Sequence, residues 1–128
     1  MKGNNYTQAQ QYILNQLKQN VEQLQIMAIM NAGKYVVAGY AGTSTLYCYR
    51  GMGYNGVPVC PANAAVTVFE TLEQAKKLAK TTNCKNGFGL LIELKAMRAT
   101  EYFDILCASS NRALLLAKAM MQVANEHK

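Results

Sequence analysis

The pattern of hydrophobic and polar positions begins with one long amphipathic segment. Its apolar residues recur at alternating steps of three and four, the heptad spacing of a helix that buries a narrow stripe. The stripe consists of Leu14, Leu17, Val21, Leu24 and Ala28. Thr7 and Gln10 fit a capping box at the start, and Gly33 provides a stop. We therefore predict a long helix within residues 1–33.

The surroundings of this helix bear on oligomerisation. Its last residues, "IMAIM" at 26–30, are apolar on every side and need to be buried against something. The helix can pack on its own sheet alone, or on a partner subunit as well. We take the second arrangement as a hypothesis: a homo-oligomer formed through Leu14, Leu17, Val21 and Leu24.

After Gly33 the pattern changes to short runs of β-branched and aromatic residues, which are typical of strands. These runs lie at 34–40, 44–50, 64–69, 88–97 and 101–108. We expect the first two runs to form one hairpin and the last two to form another. For the last run a helix over 100–108 remains an open alternative.

Two further helices follow from their capping signals. Thr71 and Gln74 form a second capping box, which predicts a helix through about Thr82. Ser109 or Ser110 is then the expected cap of a last helix near the end of the chain.

The elements together predict one α+β domain over residues 1–128, with the helix of 1–33 followed by a sheet and two helices over 34–128. We expect the sheet to be mostly antiparallel, with helices over one face. The segment 68–80 aligns without gaps on 106–118, with Thr71 opposite Ser109. This echo suggests two strand-strand-helix units, and whether they arose by duplication is left open.

Composition places the chain among globular proteins, with 51% hydrophobic and 16% charged residues. No apolar run reaches the length of a membrane span, and the first twenty residues do not resemble a signal peptide. The four cysteines, Cys48, Cys60, Cys84 and Cys107, lack the paired spacing of a zinc site. We expect a cytosolic protein with free thiols, no metal, no cofactor and no membrane association.

The net charge of +6 is concentrated in one region. Lys76, Lys77, Lys80 and Lys85 lie within ten residues of each other, and Lys95 and Arg98 follow with Glu93 as the one acidic residue after Lys76 in this run. Such a patch suits nucleic acid, a nucleotide or an acidic protein.

The stretch "YCYRGMGYNGVPVCP" at 47–61 contains a literal G-x-G-x-x-G. A dinucleotide site requires a helix directly after these glycines, to hold the pyrophosphate at its N-terminus, whereas here Pro58 and Pro61 follow. We therefore interpret the stretch as a tyrosine-lined loop that contacts a ligand or a partner. Its candidate residues are Tyr47, Tyr49, Arg50, Gly51, Gly53, Tyr54 and Gly56.

Catalytic groups are scarce. The one histidine, His127, lies next to the end of the chain, and the cysteines lack a partner that would act as their base. Glu101 and Asp104 would share a face if their segment were helical, which leaves a two-carboxylate site open. We expect no enzyme.

The sequence therefore predicts a small, oligomeric, non-enzymatic binding protein of the cytosol. Its ligand would be a protein partner or a small phosphorylated or nucleotide ligand, held at the tyrosine-glycine loop. Compact chains of this kind are common among accessory proteins of phages and mobile elements, including inhibitors of host defence. This association comes from the general class of chain and not from any particular residue of the sequence. One alternative is a nucleic-acid-binding protein using the lysines of 76–85. Another is a structural subunit, such as a virion component.

Overall fold

The computed structural model describes residues 6–42, 45–51, 58–82, 84–86 and 88–127. Within these ranges the chain forms three helices and five strands, so the α+β class is confirmed. In chain order the elements are α1 (Gln8–Met30), β1 (Tyr35–Ala41), β2 (Thr45–Tyr49), β3 (Val59–Pro61), α2 (Leu72–Thr81), β4 (Cys84–Lys85), β5 (Leu91–Arg98) and α3 (Ala99–Glu126). None of these helices has the length and apolar character needed to cross a membrane.

The five strands form one sheet in the order β3-β2-β1-β5-β4, and every neighbouring pair is antiparallel. The predicted hairpin of β1 and β2 is confirmed, with Ala38 opposite Cys48. On its other side β1 pairs along its whole length with β5, from Tyr35 opposite Arg98 to Ala41 opposite Ile92. The first and the last strand along the chain are therefore neighbours in the sheet.

The helices cover both faces of the sheet. Val36 and Ala38 of β1, with Met97 of β5, pack in the main apolar core against Tyr102 and Phe103 of α3 and half-buried residues of α1. Because side chains alternate along a strand, Val37 faces the other way, where it is also fully buried. Helix α2 contacts β1 and β5 from that second side. The expectation that all helices lie over one face is wrong.

The helix starts agree with the sequence. The Thr7 side chain accepts a hydrogen bond from the Gln10 amide, and the Gln10 side chain accepts one from the Thr7 amide. Thr71 and Gln74 form the same reciprocal pair at the start of α2. Both capping boxes, and with them the starts of α1 and α2, are confirmed.

The region from Ala99 onward differs from the preferred prediction. Residues 101–108 are not a hairpin partner but part of α3, so the helical alternative was right and Ser109 and Ser110 lie inside the helix. Ala99, Tyr102, Phe103 and Cys107 are all buried, and their spacing is that of one helix face. Since Ser109 is not a cap, the internal echo loses the match between Ser109 and Thr71.

The strand predicted at 64–69 is also absent. The segment makes only one isolated bridge, between Phe69 and Tyr35, and the third strand is the short run Val59–Pro61. This strand lies at an edge of the sheet, the position where proline is tolerated because an outward N–H needs no partner. The predicted strand at 88–97 is displaced, with β5 beginning at Leu91.

Helices α1 and α3 run antiparallel as a pair. Side-chain amides of Gln10 and Asn125 bond to each other near one end, and the Cys107 thiol approaches the Val21 carbonyl further along. Only α1 residues from Leu24 onward and α3 residues up to Leu106 join the main core. We call residues 8–20 and 109–126 of the pair the arm, because among the described residues none of them belongs to the two apolar clusters on the sheet.

Candidate functional site

The predicted tyrosine-glycine loop is only partly within the described residues. Tyr47 and Tyr49 lie on the α2 side of the sheet, where they are half-buried against a small core of Ala41, Val59 and Ile92. Arg50 is half-buried, and its amide donates a 2.7 Å hydrogen bond to the Pro58 carbonyl. Gly51 has a φ of +80°, a left-handed conformation that favours glycine.

The remaining loop candidates, Gly53, Tyr54 and Gly56, lie outside the described residues. For the part that is described, packing accounts for the tyrosines: their rings cover the second face of the sheet next to β3. Tyr49 also meets Phe69, with ring centroids 6.1 Å apart. The loop as a binding site stays a prediction.

The predicted lysines lie at a groove between α2 and β5. Glu73, Lys76, Lys77 and Lys80 follow one another at the three- and four-residue steps of one helix face, and all are exposed. Together with Ala79 they form one wall, while Leu94, Lys95 and Ala96 of β5 form the other. We call this the basic groove; its volume is about 600 Å³.

The charge of the basic groove is uncompensated. Among the described residues that line it, four are lysines and one, Glu73, is acidic. Within the part of the chain that the structure describes, no ion pair involves Lys76, Lys77, Lys80 or Lys95; the one that occurs joins Lys34 and Glu70. Lys95 lines the groove as a residue of β5, but it is opposite Ala38, so its side chain is directed to the other face of the sheet. The three ammonium groups of α2 beside an apolar floor of leucine and alanine attract anions and leave their positive charge available to a ligand.

The lysine prediction was incomplete in two respects. Lys85 belongs to the short strand β4 and does not line the groove, whereas Lys95, from the same basic run, does. Its place in that run was the one sequence signal for Lys95. The spacing alone could not place β5 beside α2, because that requires the pairing of β5 with β1.

A second cleft lies between α1, α3 and the loop after β3. It has a volume of about 530 Å³ and neutral walls, with Leu24, Met27 and Leu106 beside amides and hydroxyls such as those of Gln23 and Ser109. The loop on its third side is held firmly, since the Tyr102 hydroxyl donates to the Asn63 carbonyl and accepts from the Asn63 amide. Sequence reasoning did not identify this cleft.

The predicted oligomerisation stripe has a partner in its own chain. Leu14 and Val21 are buried and Leu17 and Leu24 are half-buried, and α1 packs along α3. The "IMAIM" end is only partly covered, because Met27 and Ala28 join the core whereas Ile26, Ile29 and Met30 are exposed. An oligomer remains a prediction, and the stripe is not the surface free to form it.

The nucleophilic and acidic groups lack a catalytic arrangement in the described residues. Burial raises the pKa of the Cys48, Cys84 and Cys107 thiols, which keeps them protonated and unreactive at neutral pH. Burial, followed by the neighbouring Cys48 thiol, also raises the pKa of Tyr102. Glu101 and Asp104 do share a face of α3, as helical spacing predicts, and both are exposed to solvent.

No cluster of three or more histidine, cysteine or acidic residues suited to a metal ion occurs among the described residues. Comparisons with family models, with curated proteins and with solved structures find no match to this chain.

Proposed function

We propose that this chain is a non-enzymatic binding protein and that its binding surface is the basic groove. The observation that supports the proposal is the row of Lys76, Lys77 and Lys80 on α2 beside a floor formed by β5, without ion pairs within the described residues. A volume of about 600 Å³ lies within the usual range for ligand sites.

The ligand we propose is anionic, either an acidic segment of a protein partner or a small phosphorylated compound. Lysine binds such groups as a mobile point charge, so the groove suits carboxylates or phosphates spread along its length. Leu94 and Ala96 add an apolar floor that a purely solvated helix face would lack.

A nucleic-acid strand is the second candidate, because Lys76, Lys77 and Lys80 form a row along one face of α2. Binding to the phosphate backbone would weaken steeply with added salt as counterions are taken up again. A compact ligand seated on the apolar floor would show a shallower salt dependence.

The experiment compares two charge-reversal variants. Lys76→Glu with Lys80→Glu makes the groove net acidic, and Lys18→Glu with Lys118→Glu makes the same change in net charge on the arm. Fluorescence polarisation would measure binding of a labelled acidic peptide, ATP and a single-stranded oligonucleotide over a salt series. We expect at least one probe to bind the wild type and the groove variant to weaken it at least about tenfold, or roughly 1.4 kcal/mol.

The arm variant should change that affinity by less than about twofold, because exposed charges further apart than a Debye length are screened. Equal losses in both variants would show attraction to net charge alone, and no binding of any probe would contradict the proposal.

We also propose that the protein self-associates through the arm. Leu115, Leu116, Met120 and Val123 of α3 are each more than half exposed, at 65%, 60%, 62% and 54%. A row of large apolar side chains on one helix is typical of a surface that another subunit covers.

A cytosolic location is also part of the proposal. It is supported by the four cysteines, which lack the spacing of a disulfide framework.

A further inference from the structure

One edge of the sheet is largely open. Strand β5 pairs with β1 from Ile92 to Arg98, but on its other side β4 reaches only Leu91 and Ile92. From Glu93 to Arg98, therefore, β5 has no partner strand on that side within the described residues. Open strand edges are templates for a further strand.

The hydrogen bonds fix which residues face this edge. The Ala99 amide donates to the Lys34 carbonyl, and Tyr35 exchanges bonds with Phe69 on the opposite side of β1. Since bonded and non-bonded pairs alternate in an antiparallel ladder, Lys95 and Met97 bond to β1, whereas Leu94 and Ala96 direct their N–H and C=O groups outward. Arg98 directs its N–H outward, but its carbonyl, at the N-cap of α3, accepts the first hydrogen bond of that helix. No backbone partner for these outward groups occurs in the part of the chain that the structure describes.

The open edge and the basic groove coincide. Leu94 and Ala96, whose backbone groups point outward, are also the floor of the groove, and the lysines of α2 stand beside them. A ligand in the groove thus meets unpaired backbone groups along one side and ammonium groups along the other. This combination suits a peptide better than a compact phosphate, because only an extended backbone can pair with successive residues of β5.

We propose that an extended, acidic segment of a partner protein adds to the edge of β5 as a further strand. The inference rests on the proposed function and names the partner of the same groove. Main-chain bonds to Leu94, to Ala96 and to the N–H of Arg98 would hold the segment, and every second side chain would face α2. Acidic residues at those alternate positions would pair with Lys76, Lys77 and Lys80.

Amide hydrogen exchange, followed by NMR, tests the backbone part directly. The probe is a synthetic peptide of about ten residues in which glutamate alternates with threonine and valine, a length at the upper end of the range for strands. We expect it to slow exchange at the outward amides of Leu94 and Ala96 by at least about tenfold. The amides of Lys95 and Met97, already bonded to β1, should change much less.

Two pairs of variants test the same bonds. Ala96→Pro removes an outward N–H, and Ala96→Ser keeps it. Arg98→Pro also removes an outward N–H. Because the φ of −63° at Arg98 already matches proline, the fold should be retained. Arg98→Ala is the control for the loss of the arginine side chain. Each proline variant should bind the peptide at least about fivefold more weakly than its control, with unchanged thermal unfolding for the Arg98 pair.

The outcomes separate this inference from the proposed function. If anionic probes bind and Lys76→Glu with Lys80→Glu weakens them, but both Arg98 variants bind alike and Leu94 and Ala96 stay unprotected, strand addition is wrong and the groove remains a binding site. The same conclusion follows if an oligonucleotide binds while the peptide shows no binding at millimolar concentration. If the lysine variant has no effect on any probe, both proposals fail.

Discussion

Helices α1 and α3 pair along most of their length, yet their two halves lie in different surroundings. Over the sheet, Tyr102 and Phe103 are fully buried because β1, β5 and α1 enclose them. In the arm no described residue joins the clusters packed on the sheet, and there Leu14 is buried against α3 while Leu116 and Met120 remain exposed. Equivalent apolar spacing therefore gives a core where the topology supplies a second layer, and a free surface where it does not.

The largest expected difference between the halves is in stability. Phe103 contacts the Tyr102 ring edge-on, with centroids 5.3 Å apart, inside the main core. Phe103→Ala should lower the free energy of unfolding by about 3–5 kcal/mol, because it leaves a cavity in a packed layer. Leu115→Ala in the arm should change it by no more than about 0.5 kcal/mol.

Urea unfolding of both variants, at concentrations low enough to suppress association, makes this measurement. Similar losses of unfolding free energy in the two variants would mean that the arm is packed as tightly as the core, and would contradict the difference between the two halves.

A second, smaller loss of stability is expected where β1 approaches β5 in the sheet below α1 and α3. A Cβ atom added at Gly39 would overlap the backbone carbonyl of Glu93 on β5, so the two strands would have to separate. We expect Gly39→Ala to cost about 3 kcal/mol, at the upper end for overpacking.

The control is Gly33→Ala between α1 and β1. Gly33 has a φ of +84° but no atom near the added Cβ, so only the left-handed backbone opposes the change, at about 1 kcal/mol. Thermal unfolding should rank the variants in this order, and the reverse ranking would contradict a close approach of β1 to β5.

Local signals predicted those elements whose cause is local. The capping boxes at Thr7 and Thr71 place two helix starts because donor and acceptor lie three residues apart. The start of α3 was missed because Tyr102 and Phe103 favour a strand when read alone, and their helical burial depends on the sheet that they cover.

The candidate site likewise has one part that the sequence predicts and one part that it does not. The lysines of α2 follow from charge and helical spacing, but the free edge does not. Within the described residues it exists because β4 covers only Leu91 and Ile92 while β5 continues to Arg98, and because β1 takes the other side of β5. These are pairings between distant segments, which no short stretch of sequence specifies.

The smallest expected effect on stability is that of replacing exposed apolar residues of the arm. We expect such replacements to change the mass of the assembly and to leave the stability of the chain nearly unchanged. Leu116→Gln with Met120→Gln makes an exposed surface polar and should alter the free energy of unfolding of the monomer by no more than about 0.5 kcal/mol. If a second copy covers this surface, the same change should convert the oligomer to a monomer in light scattering at micromolar concentration.

Leu17→Gln with Leu24→Gln is the control, because these residues pack within the chain and their replacement should destabilise the fold itself. A monomeric wild type, or dissociation caused by the Leu17 and Leu24 changes without loss of stability, would show that the arm is not the surface of association.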